Sequence, residues 1–217
     1  MNPKAALDIL AQPSMFERGG PLMYPILLAS IVGAACAIYC LFILRRKSVM
    51  TPALTDLADR LAPTDDLAAA EALCRREGGP FGEVLRMAIR TRDLGVAEAE
   101  RLVEGAGRRA AHELSRGILA LEVVAGVAPL LGLFGTVYGM YILLGDIAAE
   151  GVIRNIGMIS GGIGQALITT IAGLTVGIPA LVAHVYFSRR ADDVALAMEE
   201  RAAVLMARLR RGHSAVS

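Results

Sequence analysis

No tryptophan occurs in this sequence, and aromatic residues make up only 5% of it. Its 22 Lys and Arg nearly cancel its 21 Asp and Glu, leaving a net charge of +1. A single-strand nucleic-acid binder needs basic residues interleaved with stacking aromatics, and neither the field nor the interleaving is present. Cysteine is scarce and odd in number. Cys36 and Cys40 fall inside an apolar run and Cys74 among charged residues, so neither a disulfide framework nor a zinc spacing follows. Gly33 to Cys36 faintly resembles a lipoprotein cleavage box, but Gly33 stands where a branched residue is expected and the apolar run continues past Cys36. The segment reads as uncleaved helix. Catalytic signatures are absent too: no nucleophile motif, metal cluster or phosphate loop appears, and Ser160 beside Gly161 and Gly162 reads as a helix lead-in turn. The expectation is that the chain is not an enzyme.

What is present is apolar mass: 55% of the 217 residues are hydrophobic and the mean hydropathy is +0.53. The composition is that of a helical membrane protein. From Pro21 to Leu44 no charge occurs. Such a run makes roughly 36 Å of helix, enough to cross the hydrocarbon with some tilt. Between Ile118 and Leu144 the single charge is Glu122, near one end, and from Ile156 to Phe187 there is none. Backbone groups in lipid must bond internally, and no alternating pattern supports strands, so each run must be helical. The fold class is an all-α membrane protein with three transmembrane helices.

Direction follows from the basic residues. Nineteen of the 22 Lys and Arg lie between Arg45 and Gly117 or after Phe187; only Lys4, Arg18 and Arg154 lie elsewhere. By the positive-inside rule those segments are cytoplasmic, which puts the N-terminus outside and the C-terminus in the cytoplasm. The chain then divides into an external amphipathic segment over 1–20, spans at 21–44, 118–145 and 157–187, a cytoplasmic helical domain over 45–117, an external turn over 146–156 and a cytoplasmic tail over 188–217.

Breakers punctuate the cytoplasmic domain: a helix from Pro52 to Leu61, then Pro63, a helix to Glu77 capped by Thr64 or Asp65, then Gly78, Gly79 and Pro80, as in helical hairpins. Nothing stops the segment from Val96 before the second span, so one helix of about 50 residues is expected there. The third span likewise runs on past Arg189, with Val194, Leu196, Met198, Leu205, Met206 and Leu209 as a partly apolar face.

The chemistry lies in the second and third spans. Gly132, Gly135 and Gly139 share one face of the second; Gly173 and Gly177, with Gly161 and Gly164 earlier, repeat the design in the third. Glycine weakens helices, so this density calls either for close backbone approach or for a narrow lumen. Thr136, Thr169 and Thr170 fall within the hydrocarbon, where an unpaired polar group is unfavourable. A threonine can bond the carbonyl one turn back, but the amide of Gln165 needs outside partners. Gln165 lies about 40° from Thr169 and about 140° from Thr170 around the helix. A polar lumen or subunit seam is expected here.

None of the spans carries a carboxylate or amine at mid-depth, so a group that binds and releases a proton there must come from another chain. Glu122 and His184 lie near span ends, where pairing or an interfacial place is the ordinary role.

At these residues the chain resembles the ExbB/TolQ/MotA family of proton- or sodium-channel subunits, chiefly the three-span ExbB and TolQ branch. Gly19-Gly20-Pro21-Leu22-Met23-Tyr24-Pro25-Ile26 looks like that branch's approach to its first span. Ala128 to Met140 looks like the second-span motif, and Gly164 to Thr170, on through Gly173 to Ala180, like the third. The resemblance implies a ring, a pentamer, whose second and third spans surround the single-span helices of an ExbD/TolR-like partner, two copies of it, bearing an intramembrane Asp. It implies an inner-membrane motor or energiser driven by the proton motive force, with H+ or Na+ as the transported ion and no cofactor. By motif position Thr136 and Thr170 match the family's pore threonines, and Pro129 and Pro179 match prolines associated with helix bending. Two positions depart from the transport branch: Gln165 stands where a Glu is usual, and Tyr39 and Cys40 stand where a Glu-Arg pair often ends the first span. The ion and the driven process therefore stay open. A non-conducting membrane scaffold, its glycine faces only packing, is the competing expectation.

Overall fold

The computed structural model describes residues 19–44, 49–62, 65–150 and 156–214, the side chains of 146–150, 156–160 and 212–214 aside. Most of the segment expected as an amphipathic helix over 1–20, the basic residues at 45–47 and the turn at 151–155 lie outside the described residues. Among the described residues all regular structure is helical. In chain order these are α1 (Met23–Ile43), α2 (Pro52–Arg60), α3 (Leu67–Glu77), α4 (Gly79–Arg90), α5 (Val96–Glu150) and α6 (Ile156–Ser214).

Three of them, α1, α5 and α6, are long and apolar enough to cross a membrane. The 21 residues of α1 make about 32 Å of helix, matching a hydrocarbon core of about 30 Å. Their outward faces carry large apolar side chains, Tyr24, Leu28, Leu130 and Val182 each more than three-fifths exposed. Apolar surface costs roughly 25 cal/mol per Å² against water. A contiguous array of this kind belongs in lipid.

The chain forms two compact units, Met1–Ala37 with Leu119–His184, and Ile38–Ile118 with Val185–Ser217. The first holds the greater part of the three apolar runs. There Met23 and Ile26 of α1 are buried with Ala172 of α6, and Leu131, Ile168 and Val176 pack around them. Gly33 seats α1 on α5: a Cβ built on it would lie 3.1 Å from Val124 Cγ1.

The second unit is built on short capped helices. Thr51 and Pro52 start α2, the Thr51 hydroxyl accepting the Leu54 N–H at 3.5 Å. Asp66, not Thr64 or Asp65, caps α3: its Oδ1 accepts from the N–H groups of Ala68 at 2.9 Å and Ala69 at 3.2 Å. Thr64 lies outside the described residues, and the Asp65 carboxylate is taken by the Ala62 N–H at 2.7 Å, which leaves the next aspartate to the helix. Gly78 and Gly79 adopt φ of +65° and +72°, a region closed to most side chains, and reverse the chain into α4. Gly82 lets α4 lie against α3, since a Cβ there would come within 2.8 Å of the Cys74 carbonyl oxygen. Leu54, Phe81 and Leu85 are fully buried in the resulting core, each contributing about 1.5–3 kcal/mol of transfer free energy.

Within this unit α5 buries Ala99, Val103, Ala106, Ala110 and Leu114, and α6 buries Ala191, Val194, Met198, Ala202, Leu205 and Leu209, both at steps of three and four. Leu196, expected on that face, is 58% exposed. It stands two residues from both Val194 and Met198, about 200° around the helix. Arginines of α6 secure the ends of other elements. Arg201 Nη1 donates to both Asp59 carboxylate oxygens, at 2.7 and 2.6 Å. Arg208 donates to the carbonyl oxygens of Ala58 at 3.2 Å and Asp59 at 2.7 Å, satisfying the open end of α2. Arg210 does the same for Leu94 and Gly95, at 3.1 and 3.2 Å, just before α5.

As expected, α5 passes Gly117 without a break, giving 55 residues, and α6 runs 59. Two boundaries differ from the sequence reading. Residues 146–150, assigned to the external turn, are the last turn of α5, and Ser160 lies inside α6 rather than in a lead-in turn. Neither stretch carries proline, so helical hydrogen bonding continues through them.

Candidate functional site

Within the first unit α5 and α6 run antiparallel and meet through their glycines. A Cβ on Gly132 would lie 2.9 Å from the Thr169 carbonyl oxygen and 3.2 Å from the Gly173 α-carbon. One on Gly173 would lie 2.5 Å from the Ala128 carbonyl oxygen, and one on Gly177 2.5 Å from Pro129 Cγ. Gly135 faces the Thr169 side chain, and Gly139 faces Ala166 at 3.3 Å. Small residues here let two backbones come together, the source of dispersion energy between helices in lipid, where burial gives no hydrophobic gain. Gly161 and Gly164 are different: both have open space where a Cβ would be.

The three threonines sit at this crossing, each with its hydroxyl proton taken. Thr170 Oγ1 donates to the Gly132 carbonyl oxygen at 3.0 Å, a bond between helices. That carbonyl is the acceptor that a regular helix assigns to the Thr136 N–H, so the two threonines are linked through one peptide group. Thr136 Oγ1 donates to the Leu133 carbonyl at 2.6 Å and Thr169 Oγ1 to the Ala166 carbonyl at 2.7 Å. Thr169 is 2% exposed, whereas Thr136 and Thr170 are half-buried. A hydroxyl has one proton and two acceptor positions. With the proton engaged, lone pairs remain for any ligand that reaches Thr136 or Thr170.

Gln165 is not with them. Its amide nitrogen lies against Gly20, at the turn that leads into α1, where an added Cβ would collide with it. The turn itself is closed by the Met23 N–H on the Gly20 carbonyl at 3.1 Å and the Tyr24 N–H on the Pro21 carbonyl at 3.3 Å. The helix α6 thus carries two stripes. Ala166, Thr169, Thr170, Gly173 and Gly177 face α5, while Gln165, Ile168, Ala172 and Val176 face α1. Farther along the second stripe, Thr175, Pro179, Ala180 and Ala183 join Ser30, Gly33 and Ala37 around a mostly apolar groove of about 430 Å³. Pro129 packs on Gly177, and Pro179 is exposed beside that groove. The sequence periodicity gave no sign that Gln165 meets Gly20, because the partner lies 145 residues away in the chain.

Apolar helices zipped by glycine, with intrahelical and interhelical threonine bonds and a charged helical unit attached, define a polytopic helical membrane protein. The comparisons narrow the class. The profile of the MotA/TolQ/ExbB proton channel family matches residues 78–200, more than half of the chain, and the chain belongs to that family. It is similar to the biopolymer transport protein ExbB of Neisseria gonorrhoeae, 28% identical over 191 residues covering 81% of this chain and 86% of that one. An ExbB homolog of Methanothermobacter thermautotrophicus is 32% identical over 184 residues, 82% of this chain and 63% of that protein. The ExbB of Xanthomonas campestris pv. campestris is 40% identical over a shorter stretch of 90 residues, 42% of this chain and 35% of that protein.

Proposed function

We propose that this protein is the ring-forming subunit of an inner-membrane energiser, coupling H+ or Na+ flow to mechanical work in biopolymer transport or a related envelope process. In this reading the protomers form a pentamer around two copies of an ExbD/TolR-like single-span partner whose intramembrane Asp carries the ion. The chain is multi-pass, with its N-terminus outside and its C-terminus in the cytoplasm. The observation that carries the reading is a mismatch of chemistry: a channel-family chain whose spans offer hydroxyls but no mid-depth acid or amine. Thr136 and Thr170 are the path residues in this reading, half-buried and holding lone pairs free for a cation or an undissociated carboxyl group.

The test is the double substitution Thr136→Val with Thr170→Val, made in the complex isolated with its partner and reconstituted in vesicles. Ion-driven output is expected to be lost, while native mass spectrometry shows the assembly unchanged. Full output in the double variant would refute the path.

One observation favours a second reading. The glycine faces are used for α5–α6 packing, and the hydroxyl protons of all three threonines are engaged within the chain, which fits a non-conducting membrane scaffold. A complex whose output ignores both ion gradients would support the scaffold.

A further inference from the structure

We infer that Gln165 is a latch for the first span: it fixes the lead-in turn of α1 onto α6 and takes no part in ion passage. Three independent features of the first unit point the same way. The amide head of the exposed Gln165 lies against Gly20, where an added Cβ would push the amide aside, and Gly20 has φ of +68°, a conformation most side chains rarely adopt. The turn requires glycine here, and the absence of a side chain leaves the amide its place. Second, Gln165 heads the stripe that continues through Ile168 and Ala172, seven residues giving only about 20° of rotation. That stripe is the one on which Met23 and Ile26 of α1 are buried. Third, the threonine nearest to Gln165 around the helix, Thr169, is 2% exposed and closed off by Gly135 and by its own bond to Ala166, so its hydroxyl does not bridge the amide to Thr170.

The chemistry suits the place. A neutral amide keeps both donor and acceptor character at every physiological pH. A carboxyl group in its place would set a charge against the turn on ionisation, so seating of α1 would follow pH. With Gln at this position the first span is held independently of proton occupancy elsewhere.

The experiment is disulfide trapping in native membranes between Met23→Cys and Ile168→Cys, in a chain with Cys36, Cys40 and Cys74 replaced by Ala. Trapping is expected to be efficient, to fall severalfold on adding Gln165→Ala, to survive Gln165→Asn better than Gln165→Ala, and to be unaffected by Thr136→Val. Equal trapping with and without Gln165→Ala overturns the latch. This arm is independent of the proposed function. A second arm rests on that function and uses the isolated complex: Gln165→Met is expected to lower ion-driven output without moving its pH midpoint. A shifted midpoint with trapping intact would place Gln165 on the ion path instead, and output that is ion-independent in the unaltered complex would reject the channel reading while leaving the trapping result to decide the latch.

Discussion

At the residue scale, burial decides what a side chain can do. Cys74 lies 2% exposed in the core of the second unit, behind the Gly82 contact. Burial raises its thiol from the ordinary 9.0 to about 11, with the Glu71 charge adding to the rise and a backbone hydrogen bond and Arg86 opposing it. It is therefore a neutral thiol at physiological pH and a poor nucleophile. Because the folded value is the higher one, its contribution to stability is complete below pH 9.0 and disappears as the pH rises toward about 11. Chemical denaturation of the intact protein at pH 8 and pH 10.5 should show a loss at the higher pH that is smaller in Cys74→Ala. Equal losses in both proteins would contradict the assignment. Threonines follow the same logic: Thr169 is buried with Gly135 over it, whereas Thr136 and Thr170 are half-buried.

At the element scale, the α5–α6 pair is distinguished by which glycines touch something. A side chain at Gly173 would run into the Ala128 carbonyl, and backbone yields only by separating the helices. Gly173→Leu is expected to cost at least 1–3 kcal/mol, roughly the penalty of overpacking, and to lower the thermal midpoint in detergent by several degrees. Gly164 meets open space, so Gly164→Ala should be neutral or stabilising by up to about 1 kcal/mol through helix propensity. The two variants differ by little in sequence terms. A gain of stability in both would mean that the glycines matter for propensity rather than contact.

For the whole molecule, the charged unit depends on the end of α6. Residues from Arg201 onward supply the Asp59 ion pair, the carbonyl bonds of Arg208 and Arg210, and the buried Ala202, Leu205 and Leu209. Removing residues 201–217 should expose α2 and the turn before α5 to trypsin, raising cleavage in the 52–95 region by an order of magnitude or more in limited proteolysis. Unchanged cleavage would show that α2, α3 and α4 form a self-sufficient core. The proposed ion-driven output, tested by the Thr136 and Thr170 substitutions, belongs to this scale too, because in that proposal it requires a partner and further protomers.

The sequence alone determined the three spans and the long helices that continue beyond two of them, because charge-free runs of about 20 residues admit only helix in lipid and because no proline interrupts Val96 to Gly117 or follows Phe187. It also singled out the glycines and threonines, since small and hydroxylated residues are conspicuous against an apolar background. It could not assign their neighbours. Helical periodicity fixes the angle between residues on one helix but not which helix faces that angle, so Gln165 and Thr169 looked like one polar face. Only the packing of α1 and α5 on neighbouring stripes of α6 separated them, placing the amide against Gly20 and the threonine under Gly135. Local hydrogen bonding moved the cap of α3 to Asp66 for a similar reason: two adjacent aspartates have the same propensity, and Ala62 had already claimed one of them.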